Sequence, residues 1–379
     1  MSSNASNQIR ALTGLRYFAA ALVVTYHFSN VGNRFLRNFI EHGAFGVTIF
    51  FVLSGFILAY SYELGPGNMR GSKRTFWFAR VARLYPTYLV GVALMTPIVL
   101  FHSADPVWQR VSSGALSLVL AQSWFHSLGI SWGMWNPPGW SLSAEAFFYL
   151  VFPVACMALS RLTPMRLAVF AFVCWGLGTL SVFTQQVFEL SAGNVWGYVP
   201  LLRIPEFLIG MAAGLIWKRR KTSAFDRAAP SITMLSAAAL IFLMCLRIDK
   251  SWYFSGAFAP VVALFICALA CGRGFIARIL SSQALVVLGG ASYSVYILHW
   301  PVWMIGKELF GKSELALNQP HIYFGAYLIF TTIVSYVCFK YFEEPLNRIL
   351  RRKLIGPSST LPHAAHIVAQ HERRAAPVN

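Results

Sequence analysis

The chain has 379 residues, 57% of them hydrophobic and 12% charged, with 31 Lys and Arg against 13 Asp and Glu and a formal net charge of +18. Apolar stretches of about 18–22 residues, the length that crosses a bilayer, recur along nearly the whole chain, which excludes a soluble enzyme and leaves no room for a soluble domain of ordinary size. The basic excess reads as membrane topology and attraction to anionic lipid headgroups, and excludes nucleic acid as a partner.

An all-α, polytopic membrane helical bundle of about ten spans is therefore expected, near residues 11–28, 44–61, 84–101, 140–158, 167–184, 199–217, 230–247, 253–271, 283–305 and 321–342. No signal peptide is expected, because Arg16 interrupts the first apolar run and no small-residue cleavage site follows it. That run, RALTGLRYFAAALVVTYHF, stays as the first span and carries Arg16 and His27. Eleven helical steps of about 100° bring them back to one face, separated by a rise of about 16 Å. Ionisable residues inside a membrane helix are costly enough to mark function, although two unrelated packing residues sharing a face is the plainer reading. The pairing points to a long ligand, with an anionic end at Arg16 and a reacting end at His27.

In the second span, GVTIFFVLSGFILAY, the Ser54-Gly55 step predicts either close helix approach or room for a ligand. The basic run RGSKRTFWFARVAR follows, with Arg80 and Arg83 three apart on one face and Pro86 placed for a helix's first turn. Read alone, the two arginines set topology and snorkel to lipid phosphates. Residues 113–130 are moderately apolar without flanking charge and read as a re-entrant or interfacial helix, an eleventh span being the alternative. NPPGWSLSAEAFFYLVFP places Glu145 a few residues into its span, at the expected depth of His27, and ASYSVYILHWPV places His299 in the same layer. Arg203 and Glu206, in VPLLRIPEFLIGM, form an i, i+3 pair whose simpler role is an ion pair locking a kinked helix. Likewise, His299 beside Trp300 and Pro301 suits an interfacial histidine satisfied by a carbonyl. Six cysteines lie inside apolar segments without metal-ligand spacing, so neither disulfide nor metal is expected.

Lys and Arg favour one set of loops about threefold, which puts both termini in the cytoplasm. The transmembrane domain is expected over residues 1–346 and a basic, solvated tail over 347–379. Orientation then sorts the polar residues into an inner layer of Arg16, Arg80 and Arg83 below an outer layer of His27, Glu145, His299, Arg203 and Glu206. Acyl transfer from a thioester suits such a layout. A neutral imidazole removes a hydroxyl proton or attacks the acyl carbon, and a carboxylate such as Glu145 stabilises the imidazolium. Coenzyme A presents phosphates at one end and a thioester at the other, and arginine forks suit phosphate.

At these residues the chain resembles the integral-membrane acyltransferase-3 family, bacterial O-acyltransferases that modify glycans and related hydroxyl compounds. The resemblance runs from Ala11 to about Arg348 and rests on RALTGLR with the later His, GVTIFFVLSGF, FWFARVARLYP, PPGWSLSAEAFFYL, RIPEFLIGM, ASYSVYILHWPV and the terminal FEEP, in order. It implies a catalytic His27 and motif positions for Arg16, Arg80, Arg83, Glu145 and His299; with the layering above, His27, Glu145 and His299 are expected to be catalytic and Arg16, Arg80, Arg83 and Ser54 to form the donor site. Acceptor contacts are expected at Trp140, Ser141, Arg203 and Glu206. No tightly bound cofactor or metal is implied: acyl-CoA, usually acetyl-CoA, is a donor cosubstrate, and the partners are a carbohydrate or glycoside acceptor, such as an exopolysaccharide, lipopolysaccharide or lipo-oligosaccharide, and membrane lipids. The expected location is the bacterial inner membrane, with no residue pattern setting an oligomeric state. Two departures are visible. Thr13 stands where many members carry Asp, and no extracytoplasmic hydrolase-like domain is appended, so a stand-alone enzyme is expected. The rival functions are a transporter or flippase of an anionic lipid-linked substrate, disfavoured because no inverted repeat is found, and a catalytically silent interaction subunit.

Overall fold

A computed structural model of the protein describes residues 2–27, 34–103, 105–125, 135–187, 195–220, 224–246, 248–254, 256–311, 313 and 318–355. The first six helices are α1 (Ser2–Tyr26), α2 (Arg34–Glu41), α3 (Gly46–Tyr62), α4 (Lys73–His102), α5 (Val107–Leu118) and α6 (Trp140–Leu159). Next come α7 (Pro164–Val187), α8 (Pro200–Arg219), α9 (Ala224–Cys245), α10 (Ala259–Leu269), α11 (Gly274–Leu280), α12 (Gln283–Gly290) and α13 (Ser292–Phe310). The chain closes with α14 (Pro320–Cys338), a π-helical segment Phe339–Glu343, and α15 (Glu344–Ile355). Among the described residues the one sheet is a small antiparallel hairpin, β1 (Glu63–Gly65) against β2 (Asn68–Met69).

Among the described residues, seven helices are long and apolar enough to cross a membrane, or nine when two sharply bent pairs each count as one span. The fold is thus the expected all-α polytopic bundle. α1, whose apolar run is interrupted by Arg10 and Arg16, stands outside that number, yet it packs on α3, α12 and α13. The eighth expected span, 253–271, contains α10, which meets the following α11 at 83°, and the ninth is α12 and α13, meeting at 61°. At the first break Gly272 and Gly274 take φ of +68° and +90°, a left-handed region that glycine enters at little cost.

Three boundaries differ from those read in the sequence. The third span was expected from residue 84 with Pro86 in its first turn; instead α4 is continuous from Lys73, with Pro86 and Pro97 inside it. Ser72 caps it by accepting a hydrogen bond from the Thr75 amide at 3.0 Å, so the amphipathic run before Pro86 is already helical. Each proline removes one backbone bond without ending the helix. Secondly, the re-entrant segment expected at 113–130 is realised as α5, which starts at Val107, spans 12 residues and is at about 18 Å too short to cross a bilayer. Residues 126–130 lie outside the described residues. Finally, the tail expected from 347 is helical to Ile355, where α15 packs against α4, and 356–379 lie outside the described residues.

α3 organises the bundle because its two faces do different work. One face meets α8 so closely that a Cβ on Gly55 would sit 2.1 Å from the Phe207 carbonyl oxygen, and one on Gly210 would sit 2.0 Å from that of Val52. Backbones touch there through glycine, as small residues allow in membrane bundles. The opposite face, with Val47, Phe50, Ser54, Ile57 and Ser61 at intervals of three and four, walls a cavity.

Candidate functional site

The cavity is bounded by α1, α3, α4, α6 and α13 and encloses about 1150 Å³ of empty space, counting its open mouth. Its wall follows α3 from Val47 to Tyr62, a distance of about 22 Å at the helical rise. Ser54 and Gly55, adjacent in sequence, thus divide the two readings of that step: Ser54 lines the cavity while Gly55 carries the close approach.

At one end the cavity collects Arg16 from α1 and Arg80 and Arg83 from α4. Arg80 is buried, donates to the Tyr62 hydroxyl at 3.4 Å and lies over the rings of Phe76, Tyr149 and Tyr62 at 5.6, 5.8 and 5.9 Å. Among the described residues none of the three guanidiniums pairs directly with a carboxylate, and Arg16 Nε is buried without a hydrogen-bond partner. Three cations gathered without a direct ion pair among the described residues favour an anion beside them, since an uncompensated buried charge is strongly destabilising.

Glu145 stands with these arginines rather than with His27. It lines the cavity, accepts from Ser54 Oγ at 3.5 Å and from the Tyr149 hydroxyl one turn further along α6, and makes no hydrogen bond or ion pair with His27. The expectation that Glu145 orients the His27 imidazole is therefore corrected. The helix entering at Trp140 carries residue 145 about 7 Å along its axis, so a side chain expected near the histidine layer ends beside the arginine group.

The histidines meet each other instead. Rings of His27, at the end of α1, and His299, in α13, stack with centroids 5.1 Å apart and planes inclined by 29°. Tyr26 and Trp300 each meet His27 edge-on at 5.0 Å. His299 Nδ1 lies 2.6 Å from the Tyr296 carbonyl oxygen, which can only accept, so the neutral ring carries its proton on Nδ1. Its Nε2 is fully buried without a partner and so presents a bare lone pair. Tyr296 connects the two regions: it lines the cavity, meets Phe50 at 5.8 Å and His299 at 6.0 Å, and donates from its hydroxyl to the Pro138 carbonyl at 3.1 Å. Neither His27 nor His299 lines the cavity, and Tyr296 is the lining residue whose ring meets His299.

The four residues assigned to the acceptor do not assemble into one face. Ser141 lines the cavity, its hydroxyl donating to the Pro138 carbonyl at 3.0 Å. Arg203 and Glu206 form a fully buried ion pair at 3.0 Å; Thr48 donates to Glu206 at 2.7 Å, and the guanidinium lies over Phe51 and Trp140 at 5.2 and 5.7 Å. That is the structural lock of the simpler reading, and Trp140 belongs to it. Sequence reasoning missed the tyrosines around the cations. Tyr149, four residues from Glu145, was legible by helical spacing, whereas Tyr62 and Tyr293 come from elements that only the fold brings together.

A helical membrane bundle with a long cavity, a cationic end and an imidazole pair beyond the other is the frame of a membrane-bound group-transfer enzyme. The chain belongs to the acyltransferase family whose model, described as an acyltransferase domain, matches residues 9–340. It is 30% identical to the acyltransferase MdmB of Streptomyces mycarofaciens, over 94% of this chain and 96% of that one. To the putative peptidoglycan O-acetyltransferase YrhL of Bacillus subtilis it is 27% identical over 89% of this chain, and to the putative O-acetyltransferase SAR0937 of Staphylococcus aureus 25% identical over 94%. The chain spans 55% and 60% of the length of those two relatives. No solved structure matches.

Proposed function

We propose that the protein is an O-acetyltransferase of the bacterial plasma membrane. It takes an acetyl group from cytoplasmic acetyl-CoA and passes it to a hydroxyl of a carbohydrate or glycoside acceptor. The observation that carries this reading is the cluster of Arg16, Arg80 and Arg83 at one end of a cavity long enough for an extended pantetheine arm, without a direct carboxylate partner among the described residues. Coenzyme A phosphates supply the missing negative charge, and guanidinium forks bind them through charge-assisted, bidentate hydrogen bonds. The cationic end faces the cytoplasm, as the excess of Lys and Arg on that side requires, and both termini lie there.

In the reaction His27 removes the proton from the acceptor hydroxyl as its oxygen attacks the thioester carbonyl. The carbon–sulfur bond breaks, and the proton held on the imidazole passes to the departing thiolate, so the ester and a free thiol leave with no net proton change. A thiol of pKa about 8.5 leaves with little acid assistance, which makes positioning and deprotonation the demanding parts. His299, whose ring stacks on that of His27, holds the base in position, the supporting place expected of Glu145 from the sequence. Reaching His27 takes the acetyl group past Tyr296 and Phe50, with Ser54 and Ser141 along the wall.

Free thiol release is the direct test. Purified protein in detergent with acetyl-CoA and a glycoside acceptor should release thiol and yield the acetylated glycoside, whereas a transporter or silent subunit releases neither. In sealed proteoliposomes loaded with acetyl-CoA on the cytoplasmic face, a membrane-impermeant acceptor on the opposite face should be acetylated. Acetylation confined to acceptor on the acetyl-CoA side overturns the through-membrane path.

A further inference from the structure

The chemistry above leaves one buried carboxylate of the arginine end without a task. Glu343, the first glutamate of the FEEP motif, closes the π-helical segment Phe339–Glu343 between α14 and α15. Such a wide turn inserts an extra residue into the helical repeat and rotates everything beyond it by about 100°, and these turns are frequent at functional sites. Here it delivers a carboxylate into the bundle, where Glu343 is buried. One of its oxygens accepts from Thr87 Oγ1 at 2.9 Å and Ser294 Oγ at 2.6 Å.

Both holders sit directly behind the cavity wall. Thr87 follows Arg83 by one turn of α4 and Ser294 follows Tyr293 in α13, and both Arg83 and Tyr293 line the cavity. The hydroxyls that hold the carboxylate thus lie one turn of α4 beyond Arg83 and next to Tyr293 in α13. It forms no direct ion pair with Arg83 or Arg16, yet its charge acts on both. A group needed only for shape could be neutral, since two hydroxyl donors satisfy an amide oxygen equally well. A group meant to hold the arginines in place would touch them. Glu343 does neither, which leaves its charge as its contribution.

Resting on the reading of this cavity as a coenzyme A site, we propose that Glu343 is the built-in counter-charge of the donor site. It stabilises the guanidiniums of Arg16 and Arg83 while no anion is bound, and it weakens the site's hold on coenzyme A enough for the spent product to leave. In a poorly screened interior, one unit charge close to the site changes the affinity for a polyanion by about tenfold or more.

Calorimetric binding of free coenzyme A to the full-length protein in detergent tests this, with Glu343→Gln and Glu343→Asp beside wild type. Glu343→Gln should bind coenzyme A about tenfold tighter, turn over more slowly and suffer stronger product inhibition, while Glu343→Asp should stay near wild type. Structural damage predicts the opposite sign, so binding that is unchanged or weaker in Glu343→Gln overturns the counter-charge. Wild type that fails to bind coenzyme A overturns the donor-site reading itself, which is a distinguishable failure. If Glu343→Gln does not accumulate, Arg83→Gln/Glu343→Gln, which removes both charges, should restore accumulation, and no restoration overturns the proposal.

Discussion

His27 and His299, far apart in the chain, stack face to face with ring centroids 5.1 Å apart, and the second ring holds its proton on the nitrogen turned toward the Tyr296 carbonyl. The contact is through the ring faces, and the His299 tautomer is locked by its carbonyl partner. His27→Ala should lower turnover by about 10²–10⁴-fold while the protein still inserts and folds. His299→Phe keeps the ring stack but removes the base, and should cost less than His27→Ala. Steady-state rates with saturating acetyl-CoA decide both, and a His27→Ala enzyme retaining more than a tenth of wild-type activity removes His27 from the chemistry.

The arginine cluster makes a separable prediction. Changing Arg16, Arg80 or Arg83 to Lys keeps each charge but loses the planar fork, so coenzyme A binding should weaken by about 1–3 kcal/mol per site. A purely topological role leaves the affinity unchanged in all three, as titration calorimetry would reveal.

Because Glu145 meets Ser54 and Tyr149 rather than His27, its neutralisation should act on the donor and not on the base. Glu145→Gln and Tyr149→Phe are expected to change KM for acetyl-CoA while leaving kcat within a few-fold of wild type. A loss confined to kcat, matching that of His27→Ala, restores Glu145 to the histidine layer.

Gly55 and Gly210 fix the spacing of α3 and α8, and with it the width of the cavity. A methyl at either meets carbonyl oxygen near 2 Å, so Gly55→Ala or Gly210→Ala should destabilise by about 1–3 kcal/mol or more as the helices separate. Thermal unfolding in detergent reads this out. Ser54→Ala, on the opposite face of the same turn, should leave the unfolding midpoint unchanged.

At the cationic end, outside the membrane-spanning helices, Glu63 of β1 pairs with Lys218 at 2.9 Å and Arg219 at 3.1 Å. Burial opposes its charge, but the hydrogen bonds and charges of Lys218 and then Arg219 prevail and hold its carboxyl below the ordinary 4.5. A carboxylate lowered by folding contributes stability that is present above its unfolded value and is lost as pH falls through its folded value. Thermal midpoints of wild type and Glu63→Gln, measured from pH 7 down to about pH 3, should therefore differ most near neutrality and converge at the acid end. A gap that stays constant across the range rejects the ion pair as its source.

Much of this protein was legible before any fold was known, because a membrane chain states its class through long apolar runs and its functional residues through the rarity of charge within them. Arg16 with His27, the Arg80–Arg83 pair, Glu145, His299 and the buried Arg203–Glu206 pair could all be selected on that ground, and helical geometry alone puts Arg16 and His27 on one face. Helical periodicity reports only neighbours along one helix, and depth estimated from span boundaries carries an error of a turn or more. Glu145 was therefore expected at the histidines, and four acceptor residues were grouped that the bundle separates. Tertiary packing decided the rest. Contact of α1 with α13 stacks His27 on His299, glycine-mediated approach of α3 to α8 turns Ser54 to the cavity, and the π-turn before α15 carries Glu343 behind Arg83. Each depends on how one helix is rotated and seated against another, and that is set by the sum of many side-chain contacts rather than by any run of residues.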